Sequence, residues 1–194
     1  MIKLGVTGGL ASGKSTACSY FKEFGARVFD ADRVAKRLIF DNKEIQQKIN
    51  SEFGVVVEGR EDKDKLAQVA FSSEKKQQKL NKIVHPKVKE KFIQKTEELN
   101  QKGIELFVAD VALLFESHFD KLVDYSLLIY ADKHIRFERA QARGGINGRQ
   151  IERRMKLQMD EGLKKQQASF VIENNGSKED LYKKVEGIYK SLVN

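Results

Sequence analysis

The spacing of apolar positions changes several times along the 194 residues, and each change predicts an element. A largely apolar run over residues 2–6, broken by Lys3, predicts a buried strand. Residues 16–24 then follow a helical spacing that Gly25 closes. Arg27, Val28 and Phe29 predict a second, short strand. From residue 41 to 86 the alternation of strand and helix stops and short helices are predicted instead. Ile45, Ile49 and Phe53 share one helical face, opened by a capping box over residues 41–44 and ended at Gly54. Val55, Val56 and Val57, with the turn at residues 58–60, predict a turn or short hairpin. Leu66, Val69 and Ala70, then Leu80, Ile83 and Val84, outline two further helices. Pro86 suits the first turn of a separate long helix that faces inward through Val88, Phe92, Thr96 and Leu99 and ends at Gly103. Strands are predicted again over residues 104–109, 124–130 and 169–172. A helix capped by Asp132 runs to Arg143, a second follows the Gly144-Gly145 hinge, and a terminal one starts at the Ser177-x-x-Asp180 box.

Strands that alternate with helices in this way predict an α/β fold: a five-stranded parallel sheet with helices on both faces. The length suits a single domain. Within it, residues 1–32, 104–138 and 168–194 are expected to form the core, residues 33–103 a helical insertion with its long helix, and residues 139–167 a lid. A 40% hydrophobic composition with 12 Phe can build that core, and no run of 18 apolar residues could span a bilayer. The start Met1-Ile2-Lys3 leads straight into a strand and has no secretory pattern, so a cytoplasmic protein without a membrane partner is expected. The single cysteine, Cys18, reads as core packing. A formal net charge of +8 is compatible with nucleic acid, an anionic surface or phosphate-rich ligands. The lysines over residues 75–102 have no regular spacing and no interleaved aromatics, as on a solvated helical face.

The strongest chemical signal is G-x-x-x-x-G-K-S at residues 8–15, between the first strand and the first helix. Its glycines let backbone N–H groups converge, and the helix adds its positive end, so a polyphosphate such as that of ATP fits the nest. Gly8, Ala11, Ser12, Gly13, Lys14, Ser15 and Thr16 are the expected ATP contacts. Lys14 is placed to act on the β- and γ-phosphates, and the Ser15 hydroxyl to bind a bridging Mg²⁺. Asp30 and Asp32 follow the second strand, at the sheet edge where ligands bind in parallel α/β folds; a cap for the next helix explains one aspartate but not both. Asp110, closing an apolar strand, has the form of a Walker B carboxylate. Arg139 and Arg143, four apart, place two guanidiniums on one face of a mobile cover that also carries Arg149, Arg153 and Arg154.

Taken in order, residues 6–9 with 12–16, Asp30-Ala31-Asp32, His85-Pro86, Asp110-Val111-x-Leu113-Leu114-Phe115-Glu116 and Asn174-Asn175-Gly176 closely resemble the dephospho-CoA kinase family over nearly the whole chain. The resemblance implies a P-loop nucleotide-kinase fold and transfer of the ATP γ-phosphoryl group to the ribose 3′-hydroxyl of dephospho-coenzyme A. It implies Asp32 as general base, Lys14, Arg139 and Arg143 as catalytic cations, and Asn174 with the ATP contacts. It also implies an acceptor site of Asp30, Asp32, His85, Leu113, Phe115, Glu116 and Arg154, with Arg154 and Gln158 matching an R-x-x-x-Q pattern. Ala112, Lys63, Gly144 and Ser169 depart from the family pattern; Lys63 bears on an acceptor contact, because a lysine does not reproduce a bidentate arginine. Two other readings stay open at this level. One is a P-loop kinase for another small acceptor such as a nucleoside; the other is a non-kinase NTPase that binds nucleic acid, against which stands the absence of an N-K-x-D motif.

Overall fold

In the computed structural model, which describes residues 1–70, 72–145 and 147–193, the apolar runs become strands β1 (Ile2–Thr7), β2 (Arg27–Asp30), β3 (Leu106–Asp110), β4 (Tyr125–Tyr130) and β5 (Phe170–Glu173). They form one parallel sheet in the order β2-β3-β1-β4-β5. Every residue of the interior strand β3, between β2 and β1, is buried, which is why its sequence is a continuous run rather than an alternation. The sheet belongs to a unit made of residues Met1–Asp30 and Thr96–Asn194. Helices α1 (Lys14–Glu23) and α9 (Lys178–Val193) pack on one face of it, where Ala17, Cys18, Phe21, Leu181 and Val185 meet Leu4, Val6, Val108 and Leu127. The terminal helix opens as predicted: Asp180 N–H donates to Ser177 Oγ, and Ser177 N–H donates to the Asp180 carboxylate. On β1, Gly5 turns toward Leu114 and Val123 from the turns that follow β3. Helices α6 (Lys133–Arg143), α7 (Gly148–Lys156) and α8 (Glu161–Gln167) complete the unit.

The second unit, Ala31–Lys95, is helical: α2 (Ala31–Asp41), α3 (Lys43–Phe53), α4 (Lys63–Ala70) and most of α5 (Glu74–Asn100). Four local readings change here. The cap of α3 is Asn42 alone, whose side chain accepts from Ile45 N–H; there is no reciprocal box with Glu44. The valines at 55–57 pair with no strand, because side chains satisfy the backbone: Val57 N–H donates to Asn50 and Glu58 N–H to Asp62, ahead of a 3-10 turn at Arg60–Asp62. Pro86 lies inside α5, not at its start, so two predicted helices are one of 27 residues. Leu80, Val84, Val88 and Phe92 recur every four residues and are all buried, a stripe that runs past the proline. Burying each is worth about 1.5–3 kcal/mol, against about 3 kcal/mol for an interior proline, so the stripe prevails. Asp32 is in the first turn of α2, which starts at Ala31, so it is not the cap of a helix beginning at Arg33.

Candidate active site

The phosphate loop is built by hydrogen bonds that leave its interior polar. Ser12 N–H donates to Gly9 C=O, and Gly13 caps α1 at φ 99°, a left-handed value that favours glycine. A side chain at Gly13 would also be driven into Asn174, whose amide donates to the Ser12 carbonyl at 2.7 Å. Ala11, buried and at φ 60°, holds a conformation few alanines adopt, a local strain kept at the loop's centre. The Ser12 hydroxyl is buried with no hydrogen-bond partner among the described residues, a donor in want of an acceptor. Lys14 pairs with Asp110 at the C-terminal end of β3, both side chains largely buried. Asp30 stands directly across from Asp110 in the β2–β3 register, so two carboxylates share that sheet edge with the lysine. Ser15, in the first turn of α1, is exposed, as is Asp30, and Thr16 is half-buried. Beneath them Cys18 is buried; burial first, and Asp110 second, push its thiol well above the usual range, which makes it inert packing.

From residues 139–167, Gln158 and Ile151 touch the loop. Leu10 N–H donates to Gln158 at 2.9 Å, and Ile151 of α7 packs with Ala11 and Ala140, joined by Leu10, Phe137 and Met155. From α6, Arg139 donates to the carbonyls of Asn174 at 2.9 Å and Gly176 at 3.4 Å, while Arg143 is exposed at the helix end, before Gly144. Asp132 occupies the N-cap position of α6 without capping it: its carboxylate accepts from Tyr130 OH and from the Asn175 amide. Arg154 is exposed. Of the segment after β3, Leu114 and Phe115 are buried, Leu113 is half-buried, and Glu116 accepts from Met159 N–H at 2.9 Å. Glu116 also stands 3.6 Å from Lys164, a fully buried lysine that a second carboxylate, Glu161, flanks at 3.4 Å. Sequence reasoning singled out neither Lys164 nor Arg136, although Arg136 precedes Arg139 by one helical turn and so was legible. In the second unit, Asp32 is exposed and His85 half-buried; burial, then the charge of Lys89, pulls the His85 imidazole below its usual range, so it is neutral at pH 7.

The donors suit Mg²⁺ as P-loop enzymes hold it. They are hard oxygens, the Ser15 hydroxyl and the Asp110 carboxylate, and Mg²⁺ takes one or two protein oxygens and completes its shell with phosphates and water. Among the described residues no group of three or more His, Cys, Asp or Glu side chains is placed to hold a metal ion. No helix among them is long and apolar enough to cross a membrane.

A model of the dephospho-CoA kinase family matches residues 2–180. The dephospho-CoA kinase of Fusobacterium nucleatum is 40% identical over 193 residues, 97% of each chain. That of Chlorobaculum tepidum is 34% identical, over 98% of this chain and 94% of its own. Among solved structures, a Thermus thermophilus protein superposes with a TM-score of 0.82 at 34% identity, covering 100% of this chain and 98% of its own. The dephospho-CoA kinase of Campylobacter jejuni gives 0.64 at 22% identity, over 98% and 97%, which shows the fold.

Proposed function

The chain belongs to the dephospho-CoA kinase family, and from that premise we propose which of its residues carry each part of the reaction. The activity is ATP-dependent phosphorylation of the ribose 3′-hydroxyl of dephospho-coenzyme A, giving coenzyme A and ADP, the last step of coenzyme A synthesis. ATP and dephospho-coenzyme A are the partners; neither nucleic acid nor a membrane is needed, and the cytoplasm is the compartment.

The observation that carries the reading is the loop interior, where the unpartnered Ser12 hydroxyl lies between Gly8 and the Asn174-tethered backbone. An anion supplies the acceptor that this hydroxyl lacks. Gly8, Ala11, Gly13 and Thr16 line the same nest, with Asn174 holding its far wall. Lys14 exchanges its pairing with Asp110 for the β- and γ-phosphates, whose charge shifts toward the leaving oxygen during transfer. Ser15 would hold Mg²⁺, with Asp110 beside it; the ion supplies neutralisation of charge on the β- and γ-oxygens. Asp32 accepts the proton of the 3′-hydroxyl and aims that oxygen at the γ-phosphorus, in line with the departing ADP. Its exposure suits a group that must meet a substrate. Arg139 and Arg143 stabilise the transferring phosphoryl group. Asp30, His85, Leu113, Phe115, Glu116 and Arg154 serve the acceptor; His85, neutral at pH 7, does so as a hydrogen-bonding group and not as a cation.

Incubation with ATP, Mg²⁺ and dephospho-coenzyme A, followed by mass spectrometry, should show one added phosphoryl group on the ribose. Phosphorylation of nucleosides in preference to dephospho-coenzyme A, or ATP hydrolysis stimulated by nucleic acid with no phosphorylated product, would overturn it.

A further inference from the structure

Arg136 is a buried guanidinium that the reaction described above leaves without a task; unlike Lys164, which is within 3.6 Å of two carboxylates, it has no ion pair among the described residues. It is 7% exposed, and its Nε is buried with no hydrogen-bond partner among the described residues. A guanidinium in that state is costly unless something pairs with it. Glu161 is near, but its Oε1 is shared with Lys164 at 3.4 Å and its Oε2 is likewise unpartnered.

The place of Arg136 says what it meets. On α6 the positions 136, 139 and 143 are spaced i, i+3, i+7, so at about 100° per residue the three arginines lie within about 60° of one another on one face. Arg139 reaches the C-terminal half of the phosphate loop through Asn174. Arg136 reaches its N-terminal half: a Cβ built on Gly9 would lie 2.0 Å from Arg136 Nη1 and 2.9 Å from Glu161 Oε1. Gly9 is outside the left-handed region, so its missing side chain serves to admit the guanidinium, not to make a turn. A cavity of about 480 Å³ opens beside it, lined by Arg136, Lys133, Gln158 and Glu161 among others.

We propose that Arg136 is a third phosphate-binding arginine of α6, whose guanidinium contacts the polyphosphate of bound ATP at the tip of the loop, over Gly9. The inference rests on reading residues 8–15 as the ATP site. A planar fork of donors fits phosphate oxygens, and the loop would bring those oxygens to a buried guanidinium whose Nε lacks a partner among the described residues.

Calorimetry with ATP, ADP and AMP on wild type, Arg136→Gln, Arg136→Lys and Gly9→Ala tests it. Arg136→Gln should raise the Kd for ATP by about tenfold or more and that for AMP by less than about twofold, since charge-assisted bonds to the phosphate chain are lost and the nucleoside contacts are not. Arg136→Lys, which keeps the charge without the fork, should recover part of the loss. Gly9→Ala should displace the guanidinium and weaken ATP, and adding Arg136→Gln to it should cost nothing more. The proposal falls if ATP affinity in Arg136→Gln stays within about twofold of wild type. It falls equally if ATP and AMP weaken together with a lowered Tm, the mark of a structural strut to Glu161. Should Arg136→Gln not fold, an ATP affinity unchanged in Arg136→Lys decides against it. Wild type that neither binds ATP nor phosphorylates dephospho-coenzyme A would sink the ATP-site reading itself, a different result from a wild-type-like Arg136→Gln.

Discussion

At the scale of single residues the pair Lys14–Asp110 links stability to catalysis. Both side chains are largely buried, so removing one charge strands the other; breaking such a pair typically costs about 3–5 kcal/mol. Lys14→Ala is therefore expected to abolish turnover and also to lower Tm. Adding Asp110→Asn should restore much of the Tm, because the stranded carboxylate is gone, and none of the turnover, because the cation that meets the phosphates is still missing. Thermal melts and steady-state rates on the three variants check this; turnover regained in the double variant would remove Lys14 from the reaction. Asp32 permits a cleaner test. The structure puts it in the first turn of α2, after the helix has begun, so a capping role does not account for it. Asp32→Asn keeps the shape and loses the basic oxygen. Its kcat should fall about 10²–10⁴-fold, toward the low end if orienting the hydroxyl matters more than taking its proton, while ATP affinity and Tm barely move. An unchanged kcat would refute the base assignment.

At the scale of elements, α6 delivers arginines to one face and α5 shows how far sequence reading reaches. Arg143 is exposed at the end of α6, and under the role proposed for it the charge would count only while the phosphoryl group is in flight. Arg143→Ala should lower kcat by about tenfold or more, and Arg149→Ala on α7 should lower it far less. Equal, small effects would make Arg143 a surface residue. The parallel strands were legible because each is a short apolar run bounded by turn residues or by a carboxylate, and the phosphate loop because strand, glycines, lysine and helix occur together. Helix α5 was not legible as one element, since a proline ordinarily marks a start; the buried stripe from Leu80 to Phe92 outweighs that local rule. Nor could sequence show that Asn174 and Gln158 bond to the loop from more than a hundred residues away, or that Arg136 packs on Gly9, because those contacts arise from topology. Pro86→Ala returns an N–H to α5 and removes a ring, so Tm should rise, by an amount equivalent to about 1–3 kcal/mol. A lower Tm would mean that the helix is shaped around the proline.

At the scale of the whole molecule, a half-buried histidine in the helical unit and a buried cysteine in the sheet unit act on opposite arms of the stability profile. His85, in the helical unit, has its pKa pulled below the ordinary 6.5 by burial first and Lys89 second. Below pH 6.5 the unfolded chain binds a proton that the folded chain resists. Stability is therefore fully present above pH 6.5, falls as pH drops through that value, and levels off once the folded pKa is passed. Cys18, in the sheet unit, is pushed above its ordinary 9.0, so the unfolded chain releases a proton there that the folded chain keeps, and stability falls as pH rises past 9.0. The depressed carboxylates Glu44, Asp62, Glu179 and Asp180 act on the acid side of both windows, below their ordinary 3.8–4.5. Between about pH 5 and 7 the histidine is thus the group to test. Tm followed by circular dichroism should decline from pH 7 to 5 in wild type and stay nearly flat in His85→Gln, whereas Cys18→Ala should flatten only the onset of the alkaline arm, near pH 9.0, before the raised Tyr130, Tyr182 and lysines titrate, while lowering Tm throughout for its lost packing. If His85→Gln keeps the full acid decline, burial of that imidazole is not what links the helical unit to pH.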